Sequence, residues 1–365
     1  MENMKVKNYT PHIRVKDSVT KVMLDVIIAL FPAILASFLV YGIHPVLVVL
    51  TSVLAAVAGE WIFSALFFKK YDSVKNLSAV VTGILLGLTL APFTPLHVTA
   101  FGGAMAVIFG TLIYGGLGRN RFNPAIVGRE FMTVFFVSVM SSGSLWYNQD
   151  ELRLSGVKFF SFLSDNVFFN NLDSLILKPS GAIGEYSVIF LILGGVYLLY
   201  KDRISWHIPV TLFVTVAIGL ILSRFTGINA SFSMGGMMLC GIFMATDMPT
   251  SSSTPSGKIF YGLMMGIVVI VFWIFNITNE TLSYSILLLN GFVPLINDTF
   301  TPLLFGEDKD EVQGEKIGKG IVYGVIIVIS AILLSFLHHL GLVKYLVFIY
   351  IIYTAVMLIR SDEIK

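Results

Sequence analysis

The stretch GGLGRNRFNPAIVGR, Gly115 to Arg129, lies between two long apolar runs, and its reading decides how the rest of the chain is organised. Irregular backbone and polar side chains persist at membrane depth only where they are buried in protein or line a cavity. A segment of this kind therefore marks a site. Gly115, Gly116 and Gly118 let backbone approach a ligand closely. Asn120 and Asn123 offer both donors and acceptors, which suits the edge of a flat heteroaromatic ring.

Outward from that segment, composition identifies an integral membrane protein. The 365 residues are 56% hydrophobic and 13% charged, with a mean hydropathy of +0.85; soluble domains are only about 45–50% apolar. Runs near the spanning length of roughly 20 residues recur. The clearest are Val22–Tyr41, Val46–Phe68, Pro124–Met140, Val188–Tyr200, Ile208–Leu222 and Gly318–Leu337. Met1 to Lys21 is polar and basic and leads into a full-length span, so no cleavable leader is expected. A net charge of +2 gives no reason to expect nucleic acid as a partner. The single cysteine, Cys240, excludes an internal disulfide and a zinc or iron–sulfur site built from this chain alone; it reads as a small apolar helix residue. Redox chemistry would have to come from an organic cofactor or a neighbouring subunit.

Lysine and arginine set the expected orientation. Lys5, Lys7, Arg14, Lys16 and Lys21 precede the first span, Lys69, Lys70 and Lys75 follow the second, and the turn between them has neither residue. The N-terminus is thus placed in the cytoplasm. Ala79–Ala91 and Val98–Leu117, hinged at APFTP (Ala91–Pro95), return the chain inside at Arg119 and Arg121, and Pro124–Met140 exits to a polar outer stretch, Ser141–Ile183. The order then recurs: Val188–Tyr200 comes in, Ile208–Leu222 goes out, Met234–Thr246 returns to DMPTSSSTPSGK (Asp247–Lys258), Ile259–Phe275 exits and Leu282–Ile296 comes back. An odd number of spans per half inverts the second half relative to the first. Local echoes agree, since LTLAPFTP answers MATDMPT, and Asn123 with Pro124 answers Asn290 with Pro294. Inverted repeats with short, Gly/Pro-interrupted segments point to a midplane site between the halves.

The expected divisions are a cytoplasmic N-terminal segment (1–21), a first five-helix repeat (22–140), an extracytoplasmic loop (141–183), a second, inverted repeat (184–306), a charged cytoplasmic connector (307–316) and a two-helix C-terminal appendage (317–365). His338 and His339 fall in the turn of that appendage and read as interfacial or solvated. No metal site is expected.

Asp247 is the sharpest single residue, because an acid in an apolar span costs about 2.5–3.5 kcal/mol at the helix centre and less toward the interface. It is either an interfacial helix-end aspartate or an acceptor for a ligand N–H or a coupling cation. The topology puts it on the same side as Asn120 and Asn123. Glu60, inside the second span, either serves an ion or proton path or pairs with a donor in the bundle, so Glu60 and Asp247 are the ion-path candidates. Glu185, in GAIGEYS (Gly181–Ser187), is a ligand contact or an ordinary acid in a first helical turn. Gly102, Gly103, Gly194 and Gly195 suit close helix packing. Thr82 and Thr89 either face a ligand or bond their own preceding turn. No Walker A, Rossmann, HExxH or Ser/His/Asp pattern occurs, and no catalytic residue is assigned.

Six motifs in order carry a resemblance: TPHIRVKDSVTKVMLDV (Thr10–Val26), LSAVVTGILLGLTLAP (Leu77–Pro92), YGGLGRNRFNPAIVGREF (Tyr114–Phe131), GAIGEYSVIFLILGGVYLL (Gly181–Leu199), GIFMATDMPTSSST (Gly241–Thr254) and LLNGFVPLINDTFTPLLFG (Leu288–Gly306). Over roughly residues 10 to 306 the chain resembles the RnfD component of Rnf-type electron transport complexes. It is similar, less closely, to the NqrB component of the sodium-pumping NADH:quinone reductase. The resemblance implies an all-α membrane protein with a ten-helix core related to urea and ammonium channels, here followed by two extra C-terminal helices. It also implies a bacterial or archaeal cytoplasmic membrane, the partner components RnfA, RnfB, RnfC, RnfE and RnfG, electron flow between ferredoxin and NAD, and coupled transport of Na+ or H+.

The same resemblance implies bound flavin, riboflavin or FMN. The family's riboflavin-type site matches Asn120, Asn123 and Asp247; Thr82, Thr246, Arg129 and Glu185 complete the candidate cofactor-binding set. The family's usual FMN attachment is a phosphoester to threonine in a D-x-x-S-G-A-T-like outer motif. This chain offers LRLSGVK (Leu152–Lys158) and LKPSGAI (Leu177–Ile183), which put Lys158 or Ile183 at the threonine position. Neither side chain can form that bond, so noncovalent flavin is expected. Two other readings stay open at this point: a solute channel or transporter that keeps the inverted-repeat fold without redox chemistry, and a scaffold past which the electrons travel through neighbouring subunits.

Overall fold

The computed structural model describes residues 17–69, 72–162, 166–226, 233–302 and 309–363. Lys5, Lys7, Arg14 and Lys16 lie outside them, as do Lys70 and the connector residues Glu307 and Asp308. Of the described residues 75% are helical, and none lies in a strand.

Two series of five helices run in the same order. The first is α1 (Val19–Tyr41), α2 (Ile43–Phe63), α3 (Ser78–Leu88), α4 (Leu96–Gly110) and α5 (Pro124–Phe135). A short α6 (Val137–Met140) and a loop helix α7 (Val167–Ile176) lead to the second: α8 (Val188–Tyr200), α9 (His207–Thr226), α10 (Met234–Leu239), α11 (Pro255–Ile274) and α12 (Thr281–Thr299). A hairpin of α13 (Lys309–His339) and α14 (Val343–Glu363) closes the chain.

The third member of each series is short. At 11 residues α3 is about 16 Å long, half of the roughly 30 Å hydrocarbon core, and α10 runs into a π-helical segment that stops at Met244. Each stops at a Pro/Thr turn. Thr94 donates to the carbonyl of Ala91 at 2.8 Å, and Thr250 donates to the Asp247 carboxylate at 3.0 Å. Helix ends at such depth need partners inside the protein. Asn123 provides one by accepting from the N–H groups of Ala125 (3.1 Å) and Ile126 (3.3 Å), with Pro124 pre-set for the first turn of α5.

Pair packing also recurs. Where α2 meets α4, Gly103 leaves room for the carbonyl of Ser52; where α9 meets α11, Gly262 leaves room for the backbone of Ile208. Gly102 and Gly194 sit in equally close contacts, the latter against Ala29 of α1. The outer faces are apolar: on α1, Leu24, Ile28, Phe31 and Leu35 are exposed at helical spacing, while Asp25, Ala29 and Ala33 are buried. Five helices are long and apolar enough to cross a membrane by length and composition, and five shorter ones are apolar. The protein is a multi-pass, all-α membrane protein.

Several sequence expectations need correction. The run Pro124–Met140 is not one span, because Phe136 leaves helical geometry at φ −127° and ψ 49° and splits it into α5 and α6. The charged connector is largely the start of α13, whose 31 residues begin at Lys309. Lys, Glu and Gln are good helix formers, so charge alone did not interrupt the helix. Glu185 does not open α8; it ends a 3₁₀ turn, and Ser187 caps α8 instead. His338 and His339 end α13 rather than sitting in a free turn, and both side chains are engaged. Nor is the hairpin detached: Tyr350 of α14 donates to the carbonyl of Phe109 at 2.7 Å, and α13 packs on α11 and α12.

Candidate functional site

Several of the polar residues singled out in the sequence line one of two cavities, and α5 contributes to both. The first is a cleft of about 50 Å3 lined by Ser78 and Thr82 of α3, by Asn120 and Asn123, and by Asp247 and Pro249. Asn120 and Asp247 thus meet across the two halves at one cleft. The Oδ1 of Asn120 is buried with no hydrogen-bond partner among the described residues. Asn123 is committed differently: its carbonyl caps α5, and its amide donates to the carbonyl of Met244 at 3.3 Å. Its backbone N–H donates to Asn290 at 2.9 Å, and Asn290 in turn donates to the carbonyl of Thr250 at 2.7 Å. This network forms the wall between the cavities.

Beyond that wall lies a cavity of about 890 Å3. The C-terminal end of α3 contributes Thr89, α5 contributes Arg129, and Glu185, Glu280 and Tyr284 converge from the second half. Arg129 is 9% exposed and donates to the carbonyl of Thr89 at 2.7 Å and to Glu280 at 3.4 Å. Its Nε, and Oε2 of Glu280, have no partner among the described residues. Glu130, next to Arg129, is 5% exposed, and its Oε1 is also unpartnered among them. Glu185 accepts from the hydroxyl of Ser233 at 2.5 Å. Arg129 and Lys178 are the cations lining the cavity. The buried carboxyl of Glu130 and the half-buried ones of Glu185 and Glu280 together outnumber the one buried guanidinium, a balance that favours a bound proton or a polar ligand.

The remaining candidates separate cleanly. Thr246 is buried and bonds the carbonyl of Ile242 in its own preceding turn, as Thr89 does with Leu86. Glu60 is buried in α2 and lines neither cavity. Ile183 is wholly buried, its N–H given to the carbonyl of Leu90 at 2.9 Å, whereas Lys158 is exposed. Neither lines the large cavity, though the adjoining Ser180, Gly181 and Ala182 do.

A family model described as NQR2, RnfD, RnfE matches residues 6–306. The chain belongs to the NQR2, RnfD, RnfE family. The D component of the Na(+)-translocating ferredoxin:NAD(+) oxidoreductase complex of Acetobacterium woodii is 34% identical over 307 residues, covering 82% of this chain and 95% of that protein. The D component of the proton-translocating ferredoxin:NAD(+) oxidoreductase complex of Clostridium ljungdahlii is 34% identical over 322 residues, with 81% and 95% covered. The D component of an ion-translocating oxidoreductase complex from Alcanivorax borkumensis is 29% identical over 336 residues, with 82% and 96% covered.

Within the NQR2, RnfD, RnfE frame, both cavities can be tested against the flavin that the sequence resemblance implies. The unpartnered Asn120 oxygen and the Asp247 carboxyl complement a ring edge, but about 50 Å3 admits only that edge. The large cavity lies within the range of about 300–1,000 Å3 usual for small-molecule sites and is lined by Arg129 and Glu280, which keep an unused donor and an unused acceptor among the described residues. The residues present fit the group. Sequence reasoning missed Glu130, Glu280 and His338. An acid beside Arg129 in an apolar run was a usable signal for Glu130; Glu280, in the turn before α12, gave none.

Proposed function

We propose that this chain is the flavin-carrying membrane subunit of an ion-translocating ferredoxin:NAD oxidoreductase complex, working with the further components RnfA, RnfB, RnfC, RnfE and RnfG and coupling electron flow to transport of Na+ or H+. The observation that carries the reading is the likeness to the D components of such complexes over nearly the whole length of those proteins. The N-terminus faces the cytoplasm of a bacterial or archaeal cytoplasmic membrane, and the two helix series form inverted repeats. Support for the inversion is the equal order, the short third helices and the odd number of helices per series.

Flavin is held without a covalent link, in the large cavity beside Ser180 and Gly181 and by its ring edge at the Asn120–Asp247 cleft. When bound, flavin supplies one- and two-electron transfer together with proton uptake on its ring. The chain's own contribution is positioning and charge. Thr89 and Glu280 hold the Arg129 guanidinium at the cavity, the Glu280 carboxyl can accept a ring N–H, and exposed Lys178 can pair with a phosphate at the mouth. In the cleft, Asn120 and Asp247 present an amide and a carboxyl to a ring edge.

The test is an absorption spectrum of the full-length chain purified in mild detergent. Flavin bands that pass entirely into the supernatant after acid precipitation are expected. A chain isolated without flavin bands contradicts the redox reading.

A further inference from the structure

The C-terminal hairpin lies beyond the family match, which ends at residue 306, yet it contributes to the large cavity. At the last turn of α13, His338 lines that cavity, with its Nδ1 3.1 Å from the hydroxyl of Tyr284. His339 anchors the same turn through Nε2, 2.7 Å from the carbonyl of Phe275. The N–H of Tyr284 bonds the carbonyl of Glu280 at 2.9 Å, one helical turn back, so phenol and carboxyl share a face, and both line the cavity. Glu280 keeps one oxygen without a partner among the described residues. Around the hairpin turn, His338 is half-buried while His339 and Leu340 are exposed. The titratable and charged groups around His338 are His339 on its own helix and Tyr284 and Glu280 from α12, with Arg129 and Glu130 of α5 behind Glu280.

An imidazole that bridges an exposed turn and a phenol beside an open carboxyl is suited to moving protons. We propose that His338 passes protons between the α13–α14 turn and the Tyr284–Glu280 face of the large cavity, an inference that rests on the reading of that cavity as a flavin site. A proton taken up on one imidazole nitrogen is matched by loss of a proton from Nδ1 to the Tyr284 oxygen, while the phenol's own proton passes to a Glu280 carboxylate oxygen. One proton moves, and no electron or carbon bond changes. The proton delivered there balances the charge added when the flavin is reduced.

The experiment follows flavin absorbance in the full-length, flavin-loaded chain during rapid reduction by dithionite across about pH 6 to 9, in the native protein, His338→Ala and His338→Asn. The asparagine can still hydrogen-bond the Tyr284 hydroxyl but does not titrate. Both variants are expected to reduce about tenfold more slowly, to lose the pH dependence seen in the native chain, and in the alanine case to recover with added imidazole. Native rates and an unchanged pH profile in either variant, with the flavin spectrum retained, overturn the relay and leave the flavin reading standing. A native chain without flavin overturns both.

Discussion

The two cavities differ in how they are built. The cleft at Asn120 and Asp247 is made from two polar turns, one after α4 and one after the α10 segment, set against α3, so a few residues define it. The large cavity draws on α3, α5, α12, α13 and the loop near Ser180, with side chains that are individually ordinary in sequence. The one is a small contact for a ring edge; the other has the volume for a whole ligand and the larger unbalanced buried charge. The wall between them, Asn123 with Asn290, holds the two halves together.

The comparison breaks most severely at Arg129. Replacing it by methionine leaves Glu280 and Glu130 buried without their guanidinium, and loss of one partner of a buried pair costs about 3–5 kcal/mol. A large fall in thermal midpoint with loss of flavin is expected; a variant as stable as the native chain removes the charge argument for the large cavity. The wall comes next. Asn123→Ala loses a helix cap worth about 1 kcal/mol and an inter-half hydrogen bond worth about 1 kcal/mol. Denaturant unfolding should register roughly 2 kcal/mol by these terms, against a much smaller change for Asn120→Ala, whose Oδ1 has no partner among the described residues. Equal effects at the two asparagines would merge wall and cleft into one structural unit.

Asp247→Ala separates the cavities by ligand rather than by stability. Flavin held at the cleft should be lost while flavin in the large cavity persists, so extraction should return less flavin per chain but not none. An unchanged flavin content assigns Asp247 to helix-end structure alone.

The smallest expected effect lies in the loop between the two helix series. In the 141–183 loop, desolvation pushes the Asp173 carboxyl up, but the N–H groups of Phe159, Phe160 and Ser161 and the Ser161 hydroxyl outweigh it and hold the group at about 2. A depressed carboxyl stabilises above its ordinary value near 3.9 and loses that contribution as pH falls through about 2. Limited proteolysis of the loop should therefore be flat between about pH 5 and 8, and Asp173→Ala should raise it at neutral pH. A loop that already opens at pH 5 in the native chain contradicts this.

Much of the fold was legible because hydrophobic runs, Pro/Thr turns and Asn–Pro caps are local signals. The Thr250 and Thr94 turns and the cap at Asn123 follow from residues close together in sequence, and the repeat pattern put Asn120 and Asp247 on the same side. The break at Phe136 was not legible, since nothing in an apolar run marks a residue leaving helical geometry. Nor was the Tyr284–His338 contact, which joins residues 54 positions apart through tertiary packing alone. The setting of the attachment motif was not legible either: Ile183 is a buried strut against Leu90, while the residues just before it line the cavity.

The central claim is that this chain carries flavin without a covalent bond, and intact mass spectrometry tests it most directly. The full-length chain, 40.2 kDa from its sequence, should show flavin adducts under native conditions and the bare polypeptide mass after denaturation. A flavin-phosphate adduct that survives denaturation, or a native spectrum free of flavin, would contradict the account.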